Sequence, residues 1–246
     1  MASRRCALAG ALLLVAGAAA QAYEPSLLNL TVPSALQPGD LDLLILHRFY
    51  GSLLEQPLVG ANVGFGARFL VVPGLQLRAL YSSQYKEVAA GAGYARWFPA
   101  AYLGLQADAQ YLNRESAAGR VGTLFAALSA QSTPILKRIR LGGAVRYDSR
   151  LNHLGFGTGL AVELLPSLSL VAELYPFLPQ GWERHPEELG AKHAFSFGIR
   201  LTTWGHQFSL LAGNSFEIGE AHLMAGAPAT GTLHLGFNIQ RRFALY

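Results

Sequence analysis

Apolar and small or polar residues alternate along this chain with a period of two, in runs of about ten residues. Over 59–71, Val59, Ala61, Val63, Phe65, Ala67, Phe69 and Val71 alternate with Gly60, Asn62, Gly64, Gly66, Arg68 and Leu70. Leu103, Leu105, Ala107, Ala109 and Tyr111 repeat the pattern, as do Leu233, Leu235, Phe237 and Ile239. The 3.6-residue repeat of an amphipathic helix is missing. The alternation predicts strands at about 41–49, 59–72, 75–83, 87–98, 101–112, 120–131, 138–148, 153–164, 168–178, 192–203, 206–214 and 231–243. Globular strands usually run about 5–6 residues, whereas a tilted membrane strand needs about 9–11. Most of these fall in the second class.

The connections sort by length. Every second one is built on tight-turn residues: Pro73-Gly74, Pro99-Ala100, Pro134, Pro166-Ser167 and Trp204-Gly205. The others, at 50–57, 113–119, 149–152, 179–191 and 215–230, are longer or more polar; 84–86 is short. Outer-membrane barrels have short periplasmic turns, longer outer loops and an even strand count. Aromatics gather at both strand ends: Tyr81, Tyr111, Tyr147, Tyr175 and Phe177 at the loop ends, Trp97, Phe98, Tyr102, Trp204 and Phe243 at the turn ends. Amphipathic rings settle at the two membrane interfaces in this way. In hydrocarbon a free sheet edge leaves a row of unpaired backbone groups, so twelve strands must close. The fold class expected is all-β, a closed antiparallel transmembrane barrel of about twelve strands.

Composition agrees. Charged residues make up 14% of the chain and mean hydropathy is +0.26, too apolar for disorder. Arg4 and Arg5 precede an apolar run, Cys6 to Ala20, and Ala20-Gln21-Ala22 fits a cleavage site, so 1–22 reads as a signal peptide removed before Tyr23. Cys6 is the one cysteine, leaving the mature chain without disulfide, thiolate metal site or cysteine nucleophile. Of 19 basic side chains two lie in the signal, leaving 17 against 15 acidic ones and no basic patch for nucleic acid. Residues 23–39 read as a periplasmic lead-in, part of which can enter the barrel, and 40–246 as the barrel. Tyr246 resembles the terminal aromatic read by barrel-assembly machinery, although Arg241 and Arg242 interrupt the apolar spacing before it.

With the apolar phase facing lipid, the other phase lines the lumen. Its charged candidates are Arg68, Arg78, Asp108, Arg140, Arg146, Asp148, Glu163, Glu173 and Arg200. Arginine pairs with carboxylates in fixed, forked geometry, which suits either a salt-bridge network filling the barrel or a charged conduit. Many other inward positions are glycine, including Gly155, Gly157 and Gly159, which either leave space or let the wall curve. No catalytic set emerges: His206 with Ser209 and His193 with Ser196 have odd spacings that put each pair on opposite strand faces, and no nucleophile elbow occurs. The histidines lack zinc spacing and no calcium loop is present, so neither metal nor cofactor is expected.

Leu43-Leu44-Ile45-Leu46-His47-Arg48-Phe49, Gly60-Ala61-Asn62, Gly205-His206-Gln207-Phe208 and Asn214-Ser215 resemble an uncharacterised family of bacterial outer-membrane β-barrels, over about residues 40–245. The resemblance implies a porin-like barrel in the outer membrane. It also singles out His47, Asn62, His206 and Asn214 as recurring polar positions, which would cluster if closure brought strands one, two and eleven together. The reading is a small porin-like channel or transport-related protein, not an enzyme. It contacts outer-membrane lipids and the assembly machinery, and passes a small polar solute. A plugged barrel acting through its outer loops is the alternative, and a barrel hydrolase the less favoured third. The sequence leaves the oligomeric state open.

Overall fold

The computed structural model describes residues 27–31, 36–113 and 120–245. The signal region, Cys6 and Tyr246 lie outside the described residues. Twelve strands follow in order: β1 (Asp40–Phe49), β2 (Ala61–Val72), β3 (Leu75–Ser82), β4 (Glu87–Phe98), β5 (Ala101–Asn113), β6 (Arg120–Ser132), β7 (Ile139–Asp148), β8 (His153–Leu165), β9 (Leu168–Tyr175), β10 (Ala194–Thr203), β11 (His206–Gly213) and β12 (His234–Ala244). Each pairs antiparallel with its chain neighbours, and β1 closes on β12 from Asp40↔Ala244 to Arg48↔Gly236. Among the described residues no helix is long and apolar enough to cross a membrane; the crossing is made by strands.

Four strand ends differ by two residues or more from the sequence reading. β2 starts at Ala61 because Gly60 takes a left-handed φ of +56°. β9 stops before Pro176, which has no N–H to continue the ladder. β10 starts at Ala194 because Lys192 bridges Ala227 instead of β9. β12 starts at His234 rather than 231.

The alternation sorts the two faces as expected. Leu43, Phe65, Leu105, Leu124, Phe197 and Leu210 point outward and are exposed. A charge at such a site would cost about 2–4 kcal/mol at the bilayer midplane. The short turns and the β12 C-terminus share one end, which is periplasmic by this pattern. At one turn Gly74 sits at φ +84°, and a Cβ there would lie 2.6 Å from the carbonyl of Ala95, so only glycine fits.

Twelve strands about 4.8 Å apart and tilted about 40° enclose a backbone radius of roughly 12 Å. Inward glycines and alanines cannot fill that bore. It is filled by two other pieces of the chain. Residues 27–31 lie inside it, with Leu27, Leu28 and Leu30 at 0–1% exposure. The outer loop 214–233 also folds in, through a short helix α1 (Glu220–Met224) that packs on β7, β8 and β10.

Candidate functional site

The candidate site is the lumen and the two segments that close it. A buried stretch without secondary structure must have its backbone groups satisfied by side chains. Here the wall supplies them. Glu173 of β9 accepts hydrogen bonds at Oε1 from the backbone N–H groups of Leu28 (2.5 Å), Asn29 (2.8 Å) and Leu30 (2.9 Å). Its Oε2 accepts from Asn29 Nδ2 and from the Tyr175 hydroxyl, each at 3.0 Å. Arg200 donates to the Leu27 carbonyl, and Asn238 donates to the Leu28 carbonyl at 2.6 Å. Arg48 joins Asn29 Oδ1 at 2.5 Å to Asn238 Oδ1 at 2.8 Å. β1, β9, β10 and β12 thus hold one five-residue segment.

The inward glycines of β8 show what the space is for. A Cβ on Gly159 would lie 2.6 Å from Leu27 Cδ1, one on Gly157 2.8 Å from Leu30 Cδ1, and one on Gly155 2.4 Å from Met224 Cβ. This bare strip receives three apolar side chains from the two segments. Replacing Gly155 by Val should therefore expel α1 and leave the lead-in in place. Limited proteolysis should then cut 214–233 at least several-fold faster, with the β-sheet circular dichroism unchanged.

The outer loop is tied by charge. Glu220 accepts from Arg146 Nη1 at 3.2 Å and from the Thr31 backbone N–H, so the two segments meet at one carboxylate. Arg146 also reaches Asp108 at 3.4 Å, and Asp108 pairs with Arg78 at 3.3 Å. His222 Nε2 lies 2.6 Å from Glu87 Oε2, Tyr85 donates to Glu217 at 3.0 Å, and Asn62 donates to the Phe216 carbonyl at 3.2 Å. Removing one partner of a buried pair typically costs about 3–5 kcal/mol, because the other charge is left uncompensated. Arg146→Gln should therefore loosen both segments, read as faster hydrogen exchange at 27–31 and 214–225 than in the strands.

The other expected lumen residues divide by role. Arg68 pairs with Asp42 at 3.5 Å. Together with Arg78, Glu220, Asn29 and Thr31 this pair lines a cavity of about 60 Å³, room for a few waters, between the lead-in and the β1–β3 wall. Arg140 and Glu163 are half-buried near the periplasmic end. Asp148 spends its carboxylate on the β7–β8 turn, accepting from Thr123 Oγ1 and the N–H groups of Arg150 and Leu151.

His47, Asn62, His206 and Asn214 do not form one cluster. His47 faces outward and stacks on Phe237, with ring centroids 4.7 Å apart. His206 is outward at the periplasmic end of β11, paired with Arg241. Asn214 follows the outer end of the same strand, eight residues on, about 27 Å at a strand's rise. Closure sets strands side by side but does not change a residue's height along its strand. His206 and Ser209 do fall on opposite faces, Ser209 being buried in the lumen. In loop 176–193, His185, Glu187 and Glu188 offer ligand atoms within 4.8 Å of one another. Glu188, however, is gripped by both terminal nitrogens of Arg150 at 2.7 and 2.5 Å, which already supply a positive charge. The same bonds hold the Arg150 guanidinium above its ordinary pKa.

The sequence reading let part of the lead-in enter the barrel but did not say which residues. Three leucines within four positions, 27, 28 and 30, were the available signal, since an aqueous lead-in has no use for them.

Fold and lumen together define a closed outer-membrane β-barrel, porin-like in architecture and filled by its own chain. Residues 123–243 match DUF5777, the membrane-bound β-barrel domain family, as the resemblance implied. The KdgM porin aligns at TM-score 0.51 and 7% identity, over 84% of this chain and 99% of its own. The NanC porin aligns at 0.49 and 11% identity, over 84% and 99%. Omp33 of Acinetobacter baumannii aligns at 0.47 and 11% identity, over 84% and 100%. At 7% identity the KdgM likeness is one of fold alone. No curated protein matches the chain.

Proposed function

We propose that this protein is a small outer-membrane channel for polar solutes, held shut by its lead-in and by loop 214–233, and not an enzyme. The observation that carries the reading is the way Glu173 holds three consecutive backbone N–H groups of the lead-in. Burying three leucines contributes about 1.5–3 kcal/mol each. Ordering five residues costs about 1–2 kcal/mol each. The two nearly cancel, so the hydrogen bonds to Glu173 decide whether the segment stays. A hold of that size is reversible. Behind the segment the wall is polar: Arg48, Glu173, Ser196, Arg200 and Asn238 suit a wetted bore once the segment leaves.

In this reading residues 1–22 are cleaved, 23–39 form the gate's tether, and the barrel inserts through the assembly machinery. Planar-bilayer recording of the refolded mature chain tests it. Wild type should be closed most of the time, with brief ion-passing steps whose cation-to-anion preference moves toward cations when Arg68 or Arg78 is neutralised. Complete silence of both wild type and a variant lacking 27–31 would overturn the channel assignment and favour a permanently plugged barrel working through its loops.

A further inference from the structure

Where β9 and β10 reach the outer rim, a groove of about 530 Å³ lies below the loop segment 191–193. Its floor is apolar and faces away from the lumen. Leu174 and Phe195 pair in register across the two strands, on the face opposite the buried Glu173, Ala194 and Ser196. Phe177 stands beside them.

Its upper edge is cationic. Lys192 is fixed by a two-way backbone bridge, its N–H to the Ala227 carbonyl at 3.2 Å and its carbonyl accepting from the Ala227 N–H at 2.9 Å. No carboxylate among the described residues engages its ammonium. Gly231 keeps the space beside that ammonium open, since a Cβ there would lie 3.3 Å from Nζ. The neighbouring His193 accepts the Phe177 N–H at Nδ1, at 2.9 Å, which leaves Nε2–H as a donor on an exposed ring.

An apolar floor at membrane depth under a fixed, unpaired cation and a second donor matches an amphiphile with an anionic head above an acyl chain. Phosphate oxygens accept such charge-assisted bonds. The groove's volume is that of a ligand pocket, about 300–1,000 Å³. The apolar depression nearer the periplasmic end, lined by Ile199 and Leu201 of β10, Phe208 of β11 and Ile239 of β12, has no charged residue and offers no head-group site. We propose that the groove binds the phosphorylated head and one acyl chain of an outer-leaflet glycolipid. Lys192 and His193 take the phosphate, and Leu174 and Phe195 take the chain.

Refolded mature protein in detergent micelles, titrated with lipid A and read by native mass spectrometry, tests this. One lipid A should be retained. Affinity should fall at least tenfold in Lys192→Glu, several-fold in Lys192→Ala and in Phe195→Ala, and at least tenfold for lipid A stripped of its phosphates. Circular dichroism and heat-modified gel mobility establish that each variant is folded. Equal retention of lipid A by wild type and Lys192→Ala, or of phosphorylated and stripped lipid, would overturn the site. Equal binding of phosphatidylglycerol, or displacement by millimolar inorganic phosphate alone, would overturn the glycolipid as its occupant.

Discussion

Replacing Leu27–Thr31 with a Gly-Ser stretch of equal length is expected to turn a mostly closed barrel into one that conducts in long steps, raising time-averaged current at least tenfold. The wall does not depend on the segment. All twelve strands are paired to two neighbouring strands around the closed barrel, and 27–31 is not one of those strands. What the segment supplies is volume: three leucines at 0–1% exposure, of which Leu30 and Leu27 are set against Gly157 and Gly159. With serine and glycine in their place the apolar contribution disappears while the ordering cost stays, so the segment leaves the bore. Loop 214–233 should hold more loosely as well, since the Thr31 bond to Glu220 goes with the segment. An unfolded product, or a folded one as silent as wild type, would count against this account of the lumen.

Glu173→Ala is the second large effect. Hydrogen bonds to a charged group contribute about 1.5–3 kcal/mol each, and an unpaired buried N–H costs about 1–3 kcal/mol. Three backbone N–H groups lose their acceptor at once. Because these terms are not additive, the expected net cost to the closed state is about 3 kcal/mol, or roughly a hundredfold in the closed-to-open ratio. Glu173→Gln keeps an acceptor without the charge and should fall between Ala and wild type. Open probability in single-channel records reads the order directly. A melting transition displaced by the full amount, with no change in gating, would make Glu173 a residue of the fold alone.

The barrel was legible in the sequence because lipid forbids most alternatives. A strand that faces hydrocarbon must be apolar at every second position, and the connections must sort by side, so all twelve strands and their faces could be read from parity. His47 shows the limit of short motifs: its parity is that of Leu43 and Ile45, so it faces outward with them, whatever its polarity. The lumen was half legible. Arg68, Arg78, Asp108, Arg146, Glu173 and Arg200 face inward, as the phase requires. Which of them meet was not legible, because a cross-lumen pair such as Arg146 and Glu220 joins a strand to a loop with no period to count. The inward glycines were ambiguous for the same reason. A Gly155-Gly157-Gly159 strip means an open bore or a seat for another segment, and the sequence around β8 does not say which. That information sits far away in the chain, in Leu27 and Leu30 of the lead-in and Met224 of the outer loop.

The central claim, that residues 27–31 are the removable stopper of this channel, is met most directly by locking them in place. The chain's one cysteine is Cys6, so in a refolded protein starting at Tyr23 a pair at positions 30 and 157, where a Cβ on Gly157 lies 2.8 Å from Leu30 Cδ1, can be oxidised without competing thiols. Single-channel current would be recorded from one refolded Leu30→Cys/Gly157→Cys preparation before and after reduction. Silence when oxidised and recurrent steps when reduced is the predicted result. The same current in both states, with the disulfide shown to be formed, would mean that ions pass without the segment moving.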